Sequence, residues 1–149
     1  MGADLYINSL YEPERARWEH KFDAAVKHRE TKPAGSPEWD EAQKEVEHCF
    51  EQMRSQGYFR DPYNDWDLLW HFGLSWWNDV IPMLDEDCRL NAGAATRLLA
   101  MLTEREGVFG ERLSDLSEGD AQYFRNRYVE LRQFLNQAVA LGEPIECSL

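Results

Sequence analysis

The residues of this sequence that could do chemistry together are concentrated between Tyr58 and Asp79, a stretch that we call the aromatic–acidic segment. It holds four of the six tryptophans, with aspartates and one histidine between them. Ring faces attract cations and carboxylates pair with them, so this mixture is typical of a cation-binding surface. The residues that we predict to contact a ligand or partner are Tyr58, Asp61, Tyr63, Asp65, Trp66, Asp67, Trp70, His71, Trp76, Trp77 and Asp79.

The charge around this segment has one sign. From Asp61 to Asp87 there are seven acidic residues and no lysine or arginine, so these 27 residues carry −7 of the net charge of −12. Trp66 and Trp70 are four residues apart and would share one face of a helix. The side chains of the adjacent Trp76 and Trp77 would diverge by about 100° on a helix. One member of that pair can therefore be buried while the other faces solvent.

An alternative interpretation of the segment needs no ligand. Tryptophan is highly buried on average, and aspartate is favoured in turns and at helix N-termini. On that interpretation the rings fill the core, and Asp61, Asp65 and Asp67 cap helices. The solvent exposure of the four tryptophans distinguishes the two interpretations.

Signals for catalysis are weaker than the signals for binding. His71 lies four residues after Asp67, so on a helix the carboxylate could orient the imidazole as an acid–base pair. Residues 45–48 contain one Glu-x-x-His, but a di-iron carboxylate site needs two copies. His20 and His28 would lie about 12 Å apart along a helix, too far for one metal ion. We therefore expect no catalytic residue, metal or cofactor, and keep an enzyme or metal protein using the carboxylates and His71 as the alternative.

The net charge restricts the partners of the protein. A charge of −12 repels nucleic-acid phosphates and anionic lipids, so we expect no direct binding to nucleic acid. No apolar run reaches the ~18 residues that a membrane span requires, so we expect no membrane association. A second alternative function follows from the same charge, namely an acidic decoy that mimics nucleic acid and occupies a basic protein.

The three cysteines indicate the cellular compartment. Cys49, Cys88 and Cys147 are widely spaced and form no Cys-x-x-Cys, which predicts reduced thiols in a cytoplasmic protein. Residues 1–10 lack the basic and apolar regions of a signal peptide. Cys88 follows three acidic residues, whose negative charge makes it a poor nucleophile candidate.

Apolar spacing predicts helix over most of the chain, and these helices must position the segment. The predicted starts lie near Glu12-Pro13 for the first helix and at Ser36, Asn64, Ser75, Asn91 and Ser117 for the others. The predicted ends include Gly57, Gly107 and Gly142. The last helix has the clearest apolar face, formed by Phe124, Tyr128, Leu131, Leu135 and Ala138.

The predicted fold is an all-α single domain over residues 1–149. It is a helical bundle of about four longer helices with an irregular aromatic insert of short helices. Residues 4–8 and 145–149 alternate in polarity, which allows at most a minimal pairing of the two termini as strands.

The function predicted from these observations is that of a small, acidic, non-enzymatic binding protein. We expect it to bind a cationic protein or a small-molecule ligand through the aromatic–acidic segment. A homo-oligomer is compatible with the sequence, which does not identify the partner.

Overall fold

The computed structural model describes residues 2–62 and 67–149, of which 68% are helical. The longer helices are α1 (Asn8–Glu30), α2 (Pro37–Met53), α4 (Ala92–Glu104), α5 (Glu106–Ser114) and α6 (Glu118–Leu141). The shorter ones are α3 (Leu68–His71), a π-helical turn (Trp76–Val80) and a 3₁₀ turn (Ile81–Met83). The strands are β1 (Gly2–Tyr6), β2 (Tyr58–Pro62), β3 (Arg89–Leu90) and β4 (Ile145–Ser148).

The prediction of a mostly helical chain is confirmed, and the prediction of at most two strands is wrong. The two terminal strands do pair antiparallel, with Leu5 opposite Cys147. Two further strands extend the sheet, in the order β2-β1-β4-β3. β2 escaped prediction because Asp61-Pro62 looks like a turn, yet buried Phe59 and Asp61 alternate with half-buried neighbours as a strand requires.

Helix starts follow the predicted side-chain caps at four positions. The Oγ of Ser36 accepts the N–H of Trp39 at 3.1 Å. Pro37 follows at the start of the helix, where its missing N–H costs little. Equivalent caps begin the π-helical turn, α4 and α6, at Ser75, Asn91 and Ser117. The fifth predicted cap, Asn64, lies outside the described residues.

Two predicted helix limits are corrected by the structure. α1 begins at Asn8, so Pro13 lies inside the helix rather than at its start. Gly107 does not end a helix either. α4 already stops at Glu104, and Gly107 belongs to the unpredicted nine-residue α5 that follows.

Residue contacts divide the chain into two compact units. The hairpin unit, Asn8–Tyr58, consists mainly of α1 and α2 joined by a short connection. Its small core contains Ala25, Val46 and Cys49, with Trp18, Phe22 and Val26 packed against them. The single-domain organisation stays a prediction.

The sheet unit, Met1–Ile7 with Phe59–Leu149, holds the larger core. α6 contributes the whole apolar face that the sequence predicts, with Leu131 and Leu135 fully buried. Leu5 of β1 and Ile145 of β4 are equally buried. The buried side chains of α3 and the π-helical turn pack against this core.

Candidate functional site

Asp61 is the innermost charged group of the aromatic–acidic segment. β2 carries it into the core of the sheet unit, where only 2% of its surface is exposed. Its carboxylate accepts the backbone N–H groups of Leu68 at 2.9 Å and Leu69 at 3.4 Å, and the indole Nε1–H of Trp76 at 2.8 Å. Burial raises the pKa of Asp61 to about 6, although all these donors favour the charged form. The carboxylate thus joins β2 to the start of α3 and to the π-helical turn.

Asp67 caps α3 from outside the core. Its backbone is extended, and its Oδ1 accepts the N–H of Trp70 at 2.6 Å. Partial burial raises the pKa of this carboxyl above its usual range. Two aspartates therefore bind consecutive N–H groups of a helix that is only four residues long.

Trp70 lies at the surface beside a cation supplied by α5. Half of its side chain is exposed, and the guanidinium carbon of Arg112 lies 4.4 Å from the ring centroid. Arg112 also donates through Nη1 to the carbonyl oxygen of Trp70. Arg105, at the start of the same helix, donates to the carbonyl oxygen of Gly73 at 3.3 Å. The C-terminal end of α3 is thus held by two arginines that lie far along the chain.

The adjacent tryptophans diverge as predicted for a helical pair. Trp76 is 1% exposed and belongs to the core, whereas Trp77 is 57% exposed. Ser75 and Asp79 bracket the turn that separates them. The Oγ of Ser75 accepts the N–H of Trp77 at 3.2 Å, and Asp79 Oδ2 accepts the N–H of Ser75 at 2.8 Å. This reciprocal arrangement is a capping box with a spacing of four residues.

His71 is fully buried against aromatic rings. Its ring centroid lies 4.0 Å from that of Phe124, and Trp70 meets it edge-on at 5.1 Å. Burial, followed by the charge of Arg112, lowers the pKa of this imidazole. A neutral His71 at pH 7 therefore belongs to the support of Trp70, and its role in an acid–base pair with Asp67 stays a prediction.

The other described residue of the predicted site, Tyr58, belongs to the hairpin unit. Tyr58 is half-buried in the hairpin unit, where its ring stacks on Tyr11 at 6.0 Å and carries Arg54 at 4.6 Å. Tyr63, Asp65 and Trp66 lie outside the described residues. Within the sheet unit, Asp61 binds the start of α3 and Trp76, Asp67 caps the helix that carries Trp70 and His71, and Asp79 caps the turn that carries Trp77.

Sequence reasoning missed Arg105 and Arg112 because it looked for cations only within the segment. Arg112 is 42 residues from Trp70, and nothing local in the sequence connects them. The only signal was indirect, since an acidic segment without lysine or arginine needs its cations from elsewhere in the fold.

Across the described ranges, no three His, Cys, Asp or Glu side chains are placed to hold a metal ion. The single Glu-x-x-His is used otherwise, since Glu45 accepts the thiol of Cys49 at 3.8 Å and His48 meets Trp18 edge-on.

Comparisons with known proteins add no information about the site. The chain matches no protein-family model, no curated protein and no solved structure. As for membranes, the helices in residues 2–62 and 67–149 include none with the length and apolarity needed to cross one.

Proposed function

We propose that this chain is a cytoplasmic, non-enzymatic binding protein whose contact surface on the sheet unit includes Trp70 and Trp77 and takes a cationic group of a partner. The observation that carries the proposal is the guanidinium of Arg112 at 4.4 Å from the Trp70 centroid, while half of that tryptophan stays accessible. The contact shows that this ring can hold a guanidinium, and the exposed half of the Trp70 side chain is where a partner's cation would meet it.

The neighbouring charges support a cationic partner. Asp67 lies at the start of the four-residue helix that carries Trp70, and Asp79 ends the capping box around Trp77. Both carboxylates are only partly buried, so their field reaches solvent. A net charge of −12 adds long-range attraction that raises the rate of encounter with a basic protein. The three free thiols support the cytoplasmic location.

The proposal is tested by titrating the full-length protein with peptides of equal length that are rich in arginine, lysine or glutamate. Tryptophan fluorescence and calorimetry report the binding. We expect the arginine peptide to bind best, because its planar guanidinium groups stack on rings, and the glutamate peptide not to bind. Affinity should fall as salt rises, because exposed charges are screened beyond about 10 Å at 0.1 M. If neither cationic peptide binds, the proposal is wrong.

Tryptophan variants show whether the predicted rings are used. Trp70→Leu and Trp77→Leu should each weaken binding roughly 2- to 30-fold, the equivalent of one exposed to desolvated cation–π contact. Trp18→Leu is the matched control, since Trp18 of the hairpin unit also carries a cation, Lys21, at 4.1 Å. An equal loss in all three variants would mean that the rings of the segment have no special part in binding.

Removing carboxylates tests the second half of the proposed surface. Asp67→Asn, alone or together with Asp65→Asn, should weaken binding and leave the melting temperature within a few degrees. Asparagine retains the side-chain oxygen that caps α3, so the fold keeps its hydrogen bond while the charge is lost. Unchanged affinity in both variants would remove the carboxylates from the proposed surface.

A further inference from the structure

The turn that leads into β3 contains a strained cysteine. Cys88 has a φ of 59°, and within the described residues it is the one residue other than glycine with positive φ. Its N–H donates to the carbonyl oxygen of Asp85 at 3.0 Å, while the backbone N–H of Asp85 donates to the carbonyl oxygen of Arg89 at 2.9 Å. Cys88 and Arg89 therefore both lie opposite Asp85, an arrangement that defines a β-bulge. Cys88 occupies the left-handed position of this bulge, where glycine is the usual residue. A side chain held there against its conformational preference points to a use for the side chain.

A second cysteine lies directly across the sheet. β3 pairs with β4 through Arg89 opposite Glu146 and Leu90 opposite Ile145, so one further step places Cys88 opposite Cys147. The N–H of Cys147 donates to the carbonyl oxygen of Cys88 at 3.1 Å, as this register requires. Opposed residues of antiparallel strands have Cα atoms about 4.5–5.5 Å apart, within the range of about 4.4–6.8 Å that a disulfide spans.

Both cysteines line the same surface hollow. It has a volume of about 230 Å³ and is lined by Tyr6, Asp87, Cys88, Glu146, Cys147 and Ser148. Cys88 is exposed and Cys147 is half-buried. A small neutral oxidant can therefore reach Cys88 without any movement of the strands.

We propose that Cys88 and Cys147 form a redox-active dithiol, which a hydroperoxide converts to a disulfide that fastens the C-terminal strand β4 to the turn before β3. In the first step the Cys88 sulfur attacks the peroxide, so that sulfenic acid forms at Cys88 and the peroxide is reduced to water or an alcohol. In the second step the Cys147 sulfur attacks the sulfenic sulfur, and water leaves with the Cys147 proton. A cellular dithiol reverses the reaction by exchange.

The surroundings of the two sulfurs fix this order. Burial raises the pKa of Cys147 to about 12, so it remains a protonated thiol that does not react with the oxidant first. Cys88 follows three acidic residues, which by sequence alone make it a poor nucleophile. Two of those carboxylates are engaged by Arg89, which lies 3.4 Å from Asp85 and also binds Asp87. Arg89 therefore offsets part of the negative charge that precedes Cys88 in the sequence.

The third cysteine serves as an internal reference. Cys49 lies in the hairpin unit with 1% of its surface exposed, and burial raises the pKa of its thiol. We expect it to resist oxidation under conditions that convert the other two.

The test oxidises the dilute full-length protein with hydrogen peroxide, blocks remaining thiols with N-ethylmaleimide and maps tryptic peptides by mass spectrometry. Each cysteine falls on its own peptide, with Cys49 in 45–54, Cys88 in 61–89 and Cys147 in 133–149. We expect peptides 61–89 and 133–149 to be joined with the loss of two hydrogen atoms, and dithiothreitol to separate them. Peptide 45–54 should carry N-ethylmaleimide.

Three variants separate this dithiol from nonspecific oxidation. Cys147→Ser should leave a sulfenic acid at Cys88 that dimedone traps. Cys88→Gly, which suits a φ of 59° and so folds readily, should leave Cys147 as a free thiol. Cys49→Ser should leave the yield of joined peptides unchanged. A link to peptide 45–54, or Cys88 oxidised to sulfinic acid while Cys147 stays free in the unmutated protein, would overturn the proposal.

Discussion

α6 and the aromatic–acidic segment bury apolar side chains in the same core, but their backbones are stabilised in different ways. α6 runs for 24 residues, so most of its N–H and C=O groups bond within the helix. α3 has four residues and the π-helical turn has five, and neither is long enough to satisfy its own ends. Side chains replace the missing bonds, with Asp61 and Asp67 at the start of α3 and Arg112 at its end.

The difference shows what polar residues are for in each region. On α6 most polar side chains face solvent, and Arg127, which donates to the carbonyl oxygen of Arg60, is an exception. In the segment the polar side chains bind backbone groups that would otherwise be unpaired. An acidic residue of the segment can therefore serve the fold and a partner at once, and the two roles have to be separated by choice of substitution.

Asp61→Ala should lower the free energy of unfolding by about 3–5 kcal/mol. It leaves the N–H groups of Leu68 and Leu69 and the indole N–H of Trp76 without their acceptor inside the core. Each buried donor left unpaired costs about 1–3 kcal/mol, and removal of the desolvated charge offsets part of the sum. Urea unfolding at pH 7 measures the loss, and stability equal to the unmutated protein would show that the segment does not depend on this acceptor.

Leu131→Ala tests the other side of the comparison, where packing rather than hydrogen bonding sets the stability. Leu131 is fully buried on α6, so its truncation should cost about 2–5 kcal/mol. Val129→Ala is the matched control on the same helix, because 52% of Val129 is exposed. The comparison fails if Leu131→Ala costs less than about 1 kcal/mol or no more than the control.

The sequence predicts α6 almost completely because apolar residues recur at helical spacing along its whole length. Phe124, Tyr128, Leu131, Leu135 and Ala138 are all buried as their spacing requires. The caps at Ser36, Ser75, Asn91 and Ser117 could also be predicted from the sequence, because each side chain binds a backbone group only two or three residues away.

The sequence does not predict the parts of the segment that depend on distant residues. Asp61 looks like a turn residue, and only the pairing of β2 with the sheet makes it a buried acceptor. Arg112 reaches Trp70 because α5 packs against α3, a contact with no local signature. The exposures of Trp70 and Trp77 also follow from packing, although the divergence of Trp77 from the adjacent Trp76 was foreseeable from helical geometry.

The titration of Asp61 gives a pH test that isolates one group. Its pKa is about 6 in the folded protein and about 3.8 when unfolded, so the folded state binds more protons between those values. The resulting stability is fully present below pH 3.8 and is lost as the pH rises through 6. Relative to Asp61→Asn, which does not titrate, the unmutated protein should gain about 1.4 kcal/mol between pH 7 and pH 5. A difference that stays constant with pH would contradict the raised pKa.

Asp67 provides the smallest expected effect and the sharpest separation of fold from charge. Its Oδ1 caps α3 through the N–H of Trp70, at the surface rather than in the core. Asparagine caps helices about as well as aspartate, so Asp67→Asn should change the free energy of unfolding by less than about 0.5 kcal/mol, whereas Asp67→Ala should cost about 1 kcal/mol. Thermal unfolding at pH 7 distinguishes the two. Equal losses would mean that the negative charge, not the cap, stabilises α3, and Asp67→Asn would then no longer separate cation binding from folding.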